Sequence, residues 1–158
     1  MCIRDRANVI LSKDGTAKIV DFGIARVVGV ETSTLQTGQL LGSLSYLSPE
    51  QINSIPIDSR TDIFSAGVTL YELLTYNLPF KGNDPAAVVV KILREEPVPL
   101  SDYLNDVPPE LQASVSKALA KKTHDRYQSA EELGFDLLQI QKKIKQGMAC
   151  LLYTSRCV

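Results

Sequence analysis

The spacing of apolar positions changes along this chain. Near the start they fall in two short runs, Ala7-Asn8-Val9-Ile10-Leu11 and Ala17-Lys18-Ile19-Val20, with Lys13-Asp14-Gly15 between them. Apolar runs of that length around a glycine-containing turn predict a β-hairpin. From Arg60 to Tyr76 the pattern is helical. Ile63, Phe64, Val68, Leu70, Tyr71, Leu73 and Leu74 fall on more than one side of a 3.6-residue repeat, which predicts a buried helix rather than a surface one.

Punctuation marks three further helices. Asp84-Pro85 supplies an N-cap residue and a proline at the first helical position, and Pro97 stops the helix after Arg94-Glu95-Glu96. The next starts near Pro109-Glu110 and carries Leu111, Val115, Ala118 and Leu119 at helical spacing. The last starts at Ser129, where Ser129 and Glu132 match a capping box, and its stripe Leu133, Leu137, Ile140, Ile144 is predicted to end before Gly147. All of these stripes read as core packing. Ile24 to Leu47 has no such period; it reads as a long loop dense in hydroxyls at Thr32, Ser33, Thr34 and Thr37. Two readings stay open: a phosphorylated loop, where a phosphate would add about two negative charges and order the chain against a guanidinium within reach, or a flexible polar loop that is never modified.

Composition narrows the class. The 158 residues are 44% hydrophobic and their charges nearly cancel, at −1, which suits a piece of a globular domain and leaves no footprint for nucleic acid or an anionic membrane. No apolar run approaches the roughly 20 residues of a membrane span; Ala86 to Leu93 is interrupted by Lys91. The three cysteines, Cys2, Cys150 and Cys157, sit at the two ends. The cysteine-free remainder fits a reducing cytosol and offers neither a disulfide frame nor a thiolate metal site. His124, the single histidine, has no partner at a diagnostic spacing and reads as a solvent-facing loop residue.

The chemistry is concentrated at the hairpin. Asp21-Phe22-Gly23 follows the second apolar run directly, and Asn8 stands in the first, thirteen positions earlier. A hairpin brings its ends together, so an amide oxygen and a carboxylate would face one small volume. Two readings follow: a pair of oxygen ligands for Mg²⁺, or an ordinary hairpin with polar ends.

The order of motifs extends the first reading. After Asn8 and Asp21-Phe22-Gly23 come Gly42-Ser43 with Tyr46 and Ser48-Pro49-Glu50, then Asp62-Ile63-Phe64-Ser65-Ala66-Gly67. Leu70-Tyr71-Glu72-Leu73-Leu74 runs on into Pro79-Phe80, and Arg126-Tyr127-Gln128-Ser129-Ala130 closes the series. In this order they resemble the C-terminal lobe of a bacterial, eukaryotic-like (Hanks-type) Ser/Thr protein kinase, over about residues 7 to 146. The implied fold is α+β and mainly α: a short β-hairpin, an activation segment and then a helical bundle, with the N-terminal lobe missing.

The ends fit neither that pattern nor each other. Met1-Cys2-Ile3-Arg4-Asp5-Arg6 and Cys150-Leu151-Leu152-Tyr153-Thr154-Ser155-Arg156-Cys157 resemble translated adapter sequence at the ends of metagenomic reading frames. The expected division is therefore 1–6 and 148–158 as non-native ends around a partial kinase domain at 7–147. In the family's His-Arg-Asp-x-x-x-x-Asn loop the catalytic Asp stands five positions before the Asn. Asp5 stands only three before Asn8, so Arg4-Asp5 is out of register and no catalytic residue is expected in this chain. The Gly-rich loop and the ATP-gripping strand lysine are also expected to lie outside it.

The resemblance implies roles for the rest. Asn8 and Asp21 are expected to hold Mg²⁺ against ATP, with Phe22 and Gly23 opening the activation segment and Arg26 contacting a phosphate on it. Gly42, Ser43 and Tyr46 are expected on the substrate side; Ser43 replaces the usual Thr and keeps a hydroxyl. Glu50 and Arg126 are implied to form a buried ion pair, the alternative being a surface Arg126 paired with Asp125 or Glu131. Asp62 is expected both to accept hydrogen bonds from the catalytic loop's backbone and to complement its helix dipole. Ser48 where the family has Ala, and Lys122-Thr123 where it has Asp-Pro, are the departures. The implied function is a fragment, inactive alone, of a cytoplasmic kinase that transfers the γ-phosphoryl group of ATP to protein Ser/Thr hydroxyls. The rival is a pseudokinase or docking module. Protein substrates, ATP and Mg²⁺ are the implied partners, nucleic acid is not, and a membrane anchor beyond the C-terminus fits relatives that continue into a linker and span.

Overall fold

The computed structural model describes residues 9–11, 17–19 and 44–154, with side chains over 44–146. The chain divides into two compact units, 1–34 and 35–158. The first holds an antiparallel hairpin of β1 (Val9–Leu11) and β2 (Ala17–Ile19), in the register Val9↔Ile19, Ile10↔Lys18, Leu11↔Ala17. Val20, expected in the second strand, lies outside the described residues.

The second unit is helical: α1 (Pro49–Ile52), α2 (Arg60–Thr75), α3 (Pro85–Arg94), α4 (Pro109–Ala118) and α5 (Ala130–Thr154). Two 3₁₀ turns, Leu100–Asp102 and Thr123–Asp125, shape the links before and after α4. The start of α3 follows from local chemistry, since the Asp84 carboxylate accepts from the Ala87 N–H at 2.8 Å and Pro85 has no N–H to leave unpaired. Its end comes earlier than expected. The chain is already extended at Glu95, where the last helical turn gives way to the run into Pro97.

The core is built on α2. Phe64, Val68 and Tyr71 pack with Phe80, with Val88 and Ile92 of α3, and with Leu100, Val115 and Leu119. Phe64 and Phe80 stack with ring centroids 6.1 Å apart. A second cluster joins Ile63, Ala118, Tyr127 and Leu133. Each of these large side chains contributes about 1.5–3 kcal/mol of burial. At Gly67 a Cβ would meet Ala118 Cβ at 3.0 Å and Leu119 Cδ2 at 3.2 Å, so α2 and α4 touch where one helix has no side chain.

Three expectations change. The helix predicted to be buried on more than one face is buried on one: Leu70 and Leu74 are half-buried, and Leu73 is 59% exposed. Ser129 does cap α5, accepting from the Glu132 N–H at 3.2 Å. The Glu132 carboxylate, however, accepts from the Gln128 N–H at 2.8 Å and pairs with Lys117 at 3.2 Å, so it does not close the expected box on Ser129. Finally, α5 runs through Gly147 to Thr154. A helix-interior glycine costs about 1 kcal/mol against alanine, which is not enough to stop a helix continued by Met148, Ala149 and Leu151.

Candidate functional site

The described part of the site begins with a reciprocal cap. Ser48 Oγ accepts from the Gln51 N–H at 3.3 Å, and Gln51 Oε1 accepts from the Ser48 N–H at 2.8 Å. With Pro49 at the first helical position, this box starts α1 and directs Glu50 inward, where it is 4% exposed. Nothing apolar could meet a carboxylate there without a large penalty.

Arg126 meets it. Nη1 donates to Glu50 Oε1 at 2.7 Å and Nη2 to Oε2 at 2.8 Å, the two parallel bonds that a planar guanidinium makes to a carboxylate. The remaining donors are also used: Nε to the Ala120 carbonyl at 2.7 Å, Nη1 to that of Arg60 at 3.1 Å, and Nη2 to that of Lys121 at 3.1 Å. Arg126 is 1% exposed, and its guanidinium carbon lies 4.9 Å from the Phe64 ring centroid. Thr61 Oγ1 adds a bond to Glu50 Oε1 at 2.8 Å. Burial by itself would raise the Glu50 pKa; the Arg126 bonds, the backbone N–H and the Thr61 hydroxyl outweigh it and hold it below the ordinary 4.5. Among the described residues no buried side-chain nitrogen or oxygen lacks a partner.

The segment before α1 is tied to α2 independently. The Tyr46 hydroxyl donates to Glu72 Oε2, and the Tyr46 carbonyl accepts from Ser65 Oγ at 3.0 Å. Residues 44–50 are therefore held at two points, Tyr46 on the middle of α2 and Glu50 beside its start. This arrangement positions a loop. Thr61, Ser65 and Glu72 are participants that sequence reasoning missed. Only the Ser48-x-x-Gln51 spacing was there to be read as a cap.

Of the residues expected at the site, Tyr46, Glu50, Asp62 and Arg126 are described. Asp62 is exposed in the first turn of α2. Asn8, Asp21, Phe22, Gly23, Arg26, Thr32, Ser33, Thr34, Thr37, Gly42 and Ser43 lie outside the described residues. His124 is exposed, its Nε2 3.5 Å from Asp125 Oδ1. Among the described residues no group of three or more His, Cys, Asp or Glu side chains is placed to hold a metal ion. A cleft of about 330 Å³ between α4 and α5, floored by Ser114, Tyr127 and Asp136, holds none of the expected residues. No described helix is long and apolar enough to cross a membrane.

Known proteins are similar to this sequence. A family model described as protein kinase domain matches residues 5–136. The serine/threonine-protein kinase PknB of Mycolicibacterium smegmatis is 45% identical over 137 residues, covering 86% of this chain and 22% of the relative. The PknB of Mycobacterium leprae is 42% identical over 134 residues, covering 85% and 22%. A probable serine/threonine-protein kinase of Streptomyces coelicolor is 46% identical over 132 residues, covering 83% and 20%. The chain thus spans about a fifth of the length of these curated relatives.

Proposed function

The chain belongs to the protein kinase domain family, and on that premise we propose that it is the C-terminal-lobe portion of a bacterial Ser/Thr protein kinase, the N-terminal lobe lying in other parts of the parent protein. Residues 7–147 are the kinase portion, with 1–6 and 148–158 as non-native ends. The parent transfers the γ-phosphoryl group of ATP to Ser or Thr hydroxyls of protein substrates. The observation that carries this reading is the two-bond clamp of Glu50 by Arg126, whose other three donors are taken by backbone carbonyls, together with the Tyr46–Glu72 bond. Both hold the segment that ends at Ser48-Pro49-Glu50 against the helical unit, which is what a substrate-facing loop requires in a reaction that depends mostly on positioning.

Asn8 and Asp21 are the proposed Mg²⁺ ligands. An amide oxygen and a carboxylate are donors that suit this hard ion, which supplies neutralisation of phosphate charge when bound. Phe22 and Gly23 open the activation segment. Gly42, Ser43 and Tyr46 line the substrate hydroxyl's approach. Phosphate on Thr32, Ser33, Thr34 or Thr37 is met by Arg26. Asp62, exposed at the start of α2, accepts hydrogen bonds from the parent's catalytic loop.

The test is a chimera. The chain replaces its matched region in the Mycolicibacterium smegmatis relative, and transfer of labelled phosphate from ATP to a generic protein substrate is measured. Transfer by the chimera, its loss in the Asp21→Asn variant and no activity in the isolated chain are expected. A folded chimera that binds ATP yet transfers nothing, beside an active parent relative, would overturn the catalytic reading in favour of a pseudokinase.

A further inference from the structure

The outward face of α5 has an order of charges that the described residues leave largely unused, the Glu131 carboxylate being engaged locally by the Ser129 hydroxyl. The helix turns Leu133 and Ile140 into the protein, at 7% and 6% exposure. At about 100° per residue the opposite face presents Glu131, Gly134, Phe135, Leu138, Lys142 and Lys145. Phe135 is 61% and Leu138 55% exposed, two large apolar side chains one turn apart. Gly134 has open space where a Cβ would stand, so among the described residues no contact accounts for a glycine inside this helix. The neighbouring charges belong elsewhere: Lys143 pairs with Glu110 at 2.7 Å and Glu132 with Lys117 at 3.2 Å.

Along this face the order is acidic, apolar, basic. Such a face is complementary to itself when a second helix runs antiparallel across it. With the two-fold axis at Leu138, each residue lies opposite the one equally far on the other side of position 138. Leu138 then meets its own equivalent, Glu131 faces Lys145 of the second copy, and Gly134 faces Lys142, whose aliphatic stem lies flat where no side chain intrudes. Phe135 covers the space between. The same order does not suit an anionic bilayer, which would repel Glu131 and gain only about 1 kcal/mol from each lysine.

We infer that α5 is a self-association surface, joining two copies of this chain in an isologous, antiparallel α5–α5 contact centred on Leu138. The inference is independent of the proposed catalysis. Two apolar side chains and a pair of exposed ion pairs make far less than the roughly 1,600 Å² of a standard interface, so the dimer is weak, with a Kd of about 100 µM.

Sedimentation equilibrium of the full 158-residue chain, from about 10 µM to about 1 mM at low ionic strength, reads it directly. A monomer–dimer equilibrium is expected, abolished by Leu138→Glu. Glu131→Lys and Lys145→Glu should each raise Kd at least about tenfold, because each sets two like-charged pairs face to face. An equimolar mixture of those two variants makes every cross-copy pair opposite in charge, and should dimerise within about threefold of the wild type. Circular dichroism shows whether each variant keeps its helices. A wild type that stays monomeric at about 1 mM, or a dimer indifferent to Leu138→Glu, overturns the surface. A mixture that fails to reassociate overturns the antiparallel register. Co-sedimentation with phosphatidylglycerol vesicles in place of self-association overturns the choice of partner.

Discussion

Replacing Arg126 by methionine removes a cation and five N–H bonds from a site with 1% exposure while roughly keeping the aliphatic volume. Glu50 then keeps only its Thr61 and backbone partners, and the carbonyls of Arg60, Ala120 and Lys121 lose the guanidinium. Stranding one member of a buried pair costs about 3–5 kcal/mol. That is a large share of the roughly 5–15 kcal/mol that holds a domain together. The loss should also depend on pH in a definite direction. In the wild type the folded Glu50 pKa is below 4.5, so its stabilising contribution is present above that value and is lost as pH falls towards the folded pKa. In Arg126→Met burial is no longer outweighed, and the folded pKa moves above the unfolded one. Stability is then gained as the carboxyl protonates and lost as pH rises. The deficit between the two proteins should therefore shrink from about pH 7 to about pH 4. Urea unfolding at both values, followed by circular dichroism, measures it. A deficit below about 1 kcal/mol at neutral pH, or one equal at both values, would refute the reasoning.

The other partner and the neighbouring elements give further tests. Glu50→Gln should cost about 3 kcal/mol, and combining it with Arg126→Met should cost less than the sum of the two by at least about 1 kcal/mol, read from the same urea curves. Gly67→Val drives methyl groups into Ala118 and Leu119 and should destabilise by about 1–3 kcal/mol, lowering the urea midpoint with an unchanged slope. Tyr46→Phe removes the hydroxyl from Glu72 at a cost of about 1.5 kcal/mol, and amide exchange around residues 44–48 should quicken before global unfolding. Asp84→Ala removes the cap of α3 and should cost about 1 kcal/mol by thermal unfolding.

Much of the helical order was legible because it is specified by neighbours. Asp84 caps Ala87 and Ser129 caps Glu132 over three positions, and the stripes of α4 and α5 repeat within a few turns, so these elements could be read from the residues alone. The family, too, was legible, through motifs spread from Asn8 to Ala130 in a fixed order, and the family model matches over 5–136. Neither spacing nor periodicity singled out Glu50 as the partner of Arg126. That expectation came from resemblance, since Asp125 and Glu131 stand far closer along the chain.

Tertiary structure decided what depends on residues far apart. Arg126 and Glu50 are separated by 76 positions, and the carbonyls that complete the guanidinium's bonds come from Arg60, Ala120 and Lys121, groups that carry no sequence signal. Tyr46 and Glu72 find each other across 26 positions for the same reason. Periodicity marked α2 as apolar on several sides, but only packing against α3 and α4 selected which side is buried and left Leu73 exposed. The sequence by itself determined where most helices begin and which family they compose, because capping and periodicity act within a few residues. The clamp on residues 44–50 and the exposure of one face of α5 were decided by the fold, because desolvation and ion pairing act only on groups that packing has brought together.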